Sequence, residues 1–175
     1  MLGLLGDRPL GSRDVAAVNR ALEADPVASC MVAARVEAYG LVPRFLGGEL
    51  WTASHPEDSL CFSGSNLMPL SGAPAHLDHF AERALNFPRQ CTSVVGHAEL
   101  ALGLWERLAP HWGPPREIRD EQPLLALDGY PAVPVDPEVR LVTAADMDAY
   151  FPAAVEMFLG EVGVDPRSGD GGRSY

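Results

Sequence analysis

The sequence predicts an α/β fold, a mixed sheet layered by helices, followed by the first strand and helices of a second domain. Three observations carry that reading. Residues 13–39 place apolar side chains at helical spacing, and residues 48–70 hold short apolar runs separated by turn residues. From residue 75 onward, helix-period and strand-length segments alternate, which is how helices come to layer a sheet. A chain of 175 residues has room for one domain of ordinary size with a real core.

Taken in order, Val15, Val18 and Leu22 recur at helical spacing and predict a first helix over about 13–24. Asp25-Pro26 breaks it and starts a second, with Asp25 as N-cap and Pro26 in the first turn. Ala28, Met31, Val32, Val36 and Tyr39 line one face of that helix, and Gly40 closes it. A loop through Pro43 leads to a strand at 48–53. The turn His55-Pro-Glu-Asp58 precedes a second strand at 59–63, and Asn66-Leu-Met-Pro-Leu70 continues the sheet with Pro69 near an edge or end. Leu77, Phe80, Ala81 and Ala84 predict a third helix over 75–86. Cys91–Val95 reads as a short buried strand ending at Gly96. Ala101, Leu104, Trp105 and Leu108 predict a fourth helix over 98–109, and residues 115–119 and 123–127 read as two last strands.

A proline-punctuated stretch, Gly129-Tyr-Pro-Ala-Val-Pro-Val-Asp-Pro137, reads as a linker. The pattern then restarts, with a strand at Val139-Arg-Leu-Val142 and an Ala-rich helix from Thr143 onward. The expected organisation is one whole domain at 1–130, a Pro-rich linker at 131–137, and the truncated start of a second domain at 138–175. One strand and one or two helices cannot bury both faces of a layer. Ser12-Arg-Asp-Val-Ala16 and Thr143-Ala-Ala-Asp-Met147 each lead into an Ala-rich helix, a sign of tandem repetition.

Composition excludes several classes. A hydrophobic fraction of 47% marks a globular chain, and the net charge of −11 opposes nucleic acid, whose phosphates it would repel. No apolar run approaches the roughly 18 residues of a spanning helix, and the N-terminus lacks the basic, apolar pattern of a secretory leader. Cytoplasmic location with no membrane partner is the expectation. Cys30, Cys61 and Cys91 are odd in number and sit among apolar residues, so buried reduced thiols are expected. No Cys-x-x-Cys occurs, and no bound metal is expected.

Other candidates read more simply as structure. His76 and His79, with Asp78 between them, lack further ligands and read as a solvated helix face. Ser63 and Ser93 lack a nucleophile elbow. His97 follows Gly96 at a strand end, where α/β sheets place ligands, and also fits a helix-start histidine with a local hydrogen bond. Trp51, Trp105 and Trp112 read as core or domain-interface aromatics. Gly169-Asp-Gly-Gly172 reads as a loop without the Lys-Ser/Thr of a phosphate loop.

The element order resembles the GNAT N-acetyltransferase fold, in which a first strand leads into two helices, three strands, a helix, a strand, a helix and closing strands. The sequence also resembles an uncharacterised N-terminal domain fused to GNAT acetyltransferases. Its signposts here are Asp25-Pro-Val-Ala28, Val32-Ala-Ala-Arg-Val-Glu37, Leu46-Gly-Gly-Glu-Leu-Trp51, Ser93-Val-Val-Gly96, Leu104-Trp105, Pro110-His-Trp-Gly-Pro114 and Gln122-Pro-Leu-Leu125. The resemblance covers roughly 1–130, and Val139 to Pro166 looks like the opening of the catalytic GNAT domain that follows.

What the resemblance implies is an acetyl-CoA-dependent N-acetyltransferase whose complete form acetylates a primary amine. GNAT enzymes cradle the cofactor's pyrophosphate on Gln/Arg-x-x-Gly-x-Gly/Ala between a strand and a helix, with consecutive backbone N–H groups as donors. The equivalent stretch, Leu70-Ser-Gly-Ala-Pro-Ala-His76, has one Gly and a proline, so this chain is expected to hold no catalytic residues and no acetyl-CoA. Arg44-Phe-Leu-Gly-Gly-Glu49 fits only superficially, because its Glu opposes phosphate. The fourth helix contains no Tyr to serve as general acid. The first two helices of a GNAT domain help wall the acceptor site, which points to Tyr150, Glu156, Phe158 and Glu161 as acceptor-site wall residues. Expected partners are the missing C-terminal catalytic domain, an unknown amine substrate and a second copy in a homodimer. A ligand- or partner-binding module, or a purely structural scaffold, is the alternative.

Overall fold

A computed structural model describes residues 10–163 and 165–167, and the chain divides into two units, Met1–Ala126 and Leu127–Tyr175. The N-terminal unit opens with a 3-10 turn, Ser12–Asp14, that runs into α1 (Val15–Glu23). Asp25 caps α2 (Pro26–Tyr39), its carboxylate accepting the Ala28 N–H at 3.2 Å, and Pro26 sits where the helix needs no donor. Gly40, at φ 62°, ends it. A four-residue helix, α3 (Pro43–Leu46), stands where the sequence predicts only a loop.

The sheet has four strands in the order β1-β2-β3-β4: β1 (Gly48–Trp51), β2 (Leu60–Gly64), β3 (Asn66–Ser71) and β4 (Ser93–Val94). The first three are antiparallel, while β4 runs parallel to β3. Between β3 and β4 lies α4 (Pro74–Leu85), and α5 (Ala98–Trp112) follows β4. The architecture is a mixed α/β fold.

Both faces of the sheet are buried, which is why its strands read as nearly continuous apolar runs. On one face Leu50, Leu60, Phe62 and Met68 pack with Val18 and Leu22 of α1 and Val32 and Val36 of α2. On the other, Trp51, Cys61 and Leu67 pack with Leu77, Phe80, Ala81 and Ala84 of α4 and Leu104 and Leu108 of α5. Adjacent residues such as Cys61 and Phe62 serve opposite faces, as a period of two requires. Pro69 is fully buried near the end of β3, at a position where β3 is paired only with β2. Its missing N–H costs nothing there, because β3 and β4 pair only at Asn66–Ser93 and Leu67–Val94, and β4 has stopped before Pro69.

Three expected strands are absent among the described residues. Residues 115–119, 123–127 and 139–142 carry no regular structure, although their composition suits strands. A strand exists only where a neighbouring edge takes its backbone groups, and the sheet takes none of these segments into its order. Cys30 is also corrected: it is exposed, while Cys61 and Cys91 are buried, and all three are free thiols. The buried position on α2 belongs to Ser29, whose hydroxyl donates to main-chain oxygens of α1 and the cap, at 2.6 Å from Leu22 and 2.5 Å from Asp25.

The C-terminal unit contains a 3-10 turn, Ala144–Asp146, and one long helix, α6 (Met147–Val162), capped by Gly163 at φ 70°. Pro152 is tolerated early in α6. Among the described residues no helix is long and apolar enough to cross a membrane.

Candidate functional site

The turn between β3 and α4 is the position where the resemblance puts a phosphate cradle. Gly72 takes φ +146°, a conformation that glycine permits and other residues rarely adopt. His76 then folds back over the start of α4: its Nδ1 accepts the Ala73 N–H at 3.0 Å. Pro74 has no N–H, and the His76 N–H donates to the Ala73 carbonyl at 2.9 Å. Of the backbone positions 73, 74 and 76, none offers a donor to an incoming anion. The His76 ring also fills the space over Gly72, where a Cβ would stand 3.3 Å from His76 Cβ and 3.4 Å from Nδ1. The Ser71 hydroxyl beside this turn is buried without a hydrogen-bond partner.

A second feature lies next to it. His97 is the N-cap of α5, and its Nε2 stands 2.6 Å from Oδ2 of Asp25, the N-cap of α2. The pair therefore ties two helix starts together across 72 residues of sequence. An open hollow of about 440 Å³ is lined by Gly72, His97, Ala98, Glu99 and Leu100. A carboxylate-bound imidazole can orient and exchange a proton. The Asp25 carboxyl is held below its ordinary range, first by the His97 hydrogen bond and then by the Ala28 N–H. Its stabilising contribution is thus fully present above the unfolded-state value of about 3.9 and is lost as pH falls through the lower folded-state value. Urea midpoints of wild type and Asp25→Ala are expected to differ at neutral pH and to converge as pH drops below the carboxylate range. A gap that persists unchanged at the lowest pH contradicts this assignment.

On the same unit, Arg83 is packed under Trp51 and Phe87, with its guanidinium carbon 5.0 Å and 5.8 Å from the ring centroids. Glu49 Oε2 stands 3.5 Å from Arg83 and accepts the Trp51 indole N–H at 3.1 Å. This cluster fastens α4 to β1. The His76 and His79 side chains do not form a shared solvated face: His76 caps α4, and the Nε2 of His79 is buried without a partner. Among the described residues no three His, Cys, Asp or Glu side chains gather as a metal site. Burial pushes the Cys61 and Cys91 thiols up, so neither is poised as a nucleophile.

The C-terminal unit holds the four predicted wall residues on α6. At 100° per residue, Tyr150, Glu161 and Phe158 fall within about 80° of one another, while Glu156 points to another side. Tyr150, Glu156 and Glu161 are exposed and Phe158 is half-buried. An open hollow of about 420 Å³ includes Tyr150 in its lining, along with Arg140, Val142 and Asp146, but none of the other three. Asp146 is saturated: it takes a fork from Arg140 at 2.6 and 2.7 Å, and the Thr143 N–H and hydroxyl at 2.9 and 2.7 Å. Those bonds, led by the Arg140 fork, hold its carboxyl far below the usual range.

Sequence reasoning finds Asp25 as a helix cap and His97 at a strand end, but not their pairing. It also misses the Arg83 cluster, whose members carry no spacing signal. The sequence profile of one family, described as a domain of unknown function (DUF4081), matches residues 48–150. No curated protein and no solved structure matches the chain.

Proposed function

We propose that this chain, which belongs to the DUF4081 family, is the N-terminal, non-catalytic part of a GNAT-like N-acetyltransferase. Its complete form would transfer acetyl from acetyl-CoA to a primary amine. The observation that carries the reading is that α1 in one unit and α6 in the other are entered through the same local structure. In the first, the Gly11 N–H donates to Asp14 Oδ2 at 2.8 Å and the Asp14 N–H returns to the Gly11 carbonyl at 2.8 Å, ahead of α1. In the second, the Thr143 N–H donates to Asp146 Oδ2 at 2.9 Å and the Asp146 N–H returns to the Thr143 carbonyl at 3.0 Å, ahead of α6. A tandem of two like units accounts for the match, and in the resembling proteins the second unit is the catalytic one.

The order α1, α2, the one-turn α3, three antiparallel strands, α4, the parallel β4 and α5 is in keeping with the same reading apart from α3. The turn over Gly72 supports a non-catalytic role for the first unit, since the donors at 73, 74 and 76 are consumed or absent and His76 fills the space over the glycine. In this reading Tyr150, Phe158 and Glu161 share the flank of α6 that faces the acceptor amine, and Glu156 stands apart. The amine nitrogen would add to the thioester carbonyl and pass its proton to a base, and collapse of the adduct would break the C–S bond and release CoA as a thiolate that takes up a proton. Backbone N–H groups of the complete form hold the developing oxyanion.

The test is release of CoA thiol by the longer gene product with acetyl-CoA and a panel of primary amines. Turnover is expected there and none above the uncatalysed rate from this chain. If the longer product turns over no amine, yet the chain holds a small ligand in the hollow beside His97, the binding-module reading takes its place; that hollow is the observation in its favour.

A further inference from the structure

We propose that residues 123–127 of one chain pair with the open edge of β4 in a second copy, so that two copies exchange these segments about a two-fold axis. Three unmet features complement one another. The first is the edge itself: β4 is last in the sheet order and bonded only to β3, so its far side presents backbone donors and acceptors. The sequence makes Cys91–Val95 a buried strand, yet Ser93 and Val94 are only half-buried and Val95 is 45% exposed.

The second feature is α5, which lies over this end of the sheet. Leu100, Trp105 and Trp112 pack on the core with Val94 but remain only partly buried. One more strand beside β4 would cover them. The third feature is Pro123-Leu-Leu-Ala-Leu127, which has the length and composition of a strand and belongs to none among the described residues. Leu124, Leu125 and Leu127 are 61%, 83% and 79% exposed. Single exposed leucines are ordinary, but three together in an extended segment call for a partner.

The hinge selects a second copy over the chain's own sheet. Gly113 ends α5 at φ 81° and ψ −175°, and Pro114 and Pro115 follow it directly. Two prolines fix their own φ and hold the preceding residue extended, which stiffens the exit from α5 and opposes a tight return. A stiff hinge suits exchange, in which a partner's segment makes the contacts that the chain's own cannot. Each copy offers one edge and one segment, so two copies satisfy both and the assembly closes as a dimer. The family profile spans 48–150 and thus includes both the edge and the segment.

Sedimentation equilibrium between roughly micromolar and 100 micromolar chain, with amide hydrogen exchange, tests the pairing. The expected result is a dimer with joint protection of amides at 93–95 and 124–127. Because the chain carries −11, its dimer should tighten as salt screens the repulsion. Leu125→Asp and, from the other side, Val95→Asp should each weaken it tenfold or more and remove protection at both segments, with the helical circular dichroism unchanged. In a Cys30→Ser background, Val95→Cys chains mixed with Leu125→Cys chains should form a disulfide between chains. A monomer throughout the range overturns the proposal. So does a dimer that neither substitution weakens, or a disulfide that forms within a single doubly substituted chain at high dilution, which would place the segment on its own sheet.

Discussion

Replacing Phe80 with alanine is expected to destabilise the N-terminal unit by about 3–5 kcal/mol. Phe80 is fully buried, at 0% exposure, in the cluster where α4 and α5 meet the sheet. Trp51, Cys61, Leu67, Leu104 and Leu108 share that cluster, and strands and helices fix their positions, so the space cannot close around a lost ring. A domain is stable by only about 5–15 kcal/mol, so the loss takes a large share of the total. The measurement is unfolding in urea followed by tryptophan fluorescence. Trp51, Trp105 and Trp112 all lie in the N-terminal unit, and the fluorescence therefore reports that unit alone. A loss below about 0.5 kcal/mol, within the range of ordinary surface changes, would show that α4 is not packed on the sheet as described.

Gly48→Ala is expected to cost about 1–3 kcal/mol by overpacking. Gly48 faces Gly64 across the β1–β2 ladder. A Cβ at Gly48 would collide with the Ser63 carbonyl oxygen and stand 2.9 Å from both Gly64 Cα and the Phe62 ring. A Cβ at Gly64 meets the same crowding, 2.6 Å from the Gly47 carbonyl oxygen and 2.9 Å from the Phe62 ring. The obstacles are main chain and a buried ring, so neither can swing aside. Gly129→Ala is the control, because nothing lies within 4 Å of its added carbon. Equal midpoints for the two variants would contradict the close approach of β1 and β2.

Much of this fold is legible in the residues themselves. Val18, Leu22, Val32 and Val36 announce α1 and α2 by their spacing, and Asp25-Pro26 marks the junction, because capping and periodicity are local properties. Partnership is not local. Residues 115–119, 123–127 and 139–142 have strand-like composition, but no composition supplies the neighbouring edge that turns an apolar run into a strand. The short α3 spans a single turn, too little for a period to show. Cys30 and Ser29 exchange the places that hydrophobicity alone assigns them, because Ser29 finds two carbonyl acceptors and loses nothing by burial.

The candidate site shows the same division. The poverty of the β3–α4 turn in donors is visible in the sequence, through Pro74 and the single Gly72. The folding back of His76 onto Ala73 is not, since it depends on the glycine's dihedral and the ring's rotamer. The α6 residues that the resemblance assigns to an acceptor-site wall divide by helical spacing, which brings Tyr150, Phe158 and Glu161 to one flank and sets Glu156 apart. The equivalence of Asp14 and Asp146 is only a faint echo in sequence, and becomes a shared hydrogen-bond pattern in three dimensions.

Calorimetric titration of acetyl-CoA into this chain tests most directly the claim that the N-terminal unit is an acetyltransferase-like layer without a phosphate cradle. The predicted result is no binding tighter than about 1 mM, because the donors at 73, 74 and 76 are consumed or missing. Micromolar binding that Gly72→Val abolishes would contradict it and make the β3–α4 turn a working cofactor site.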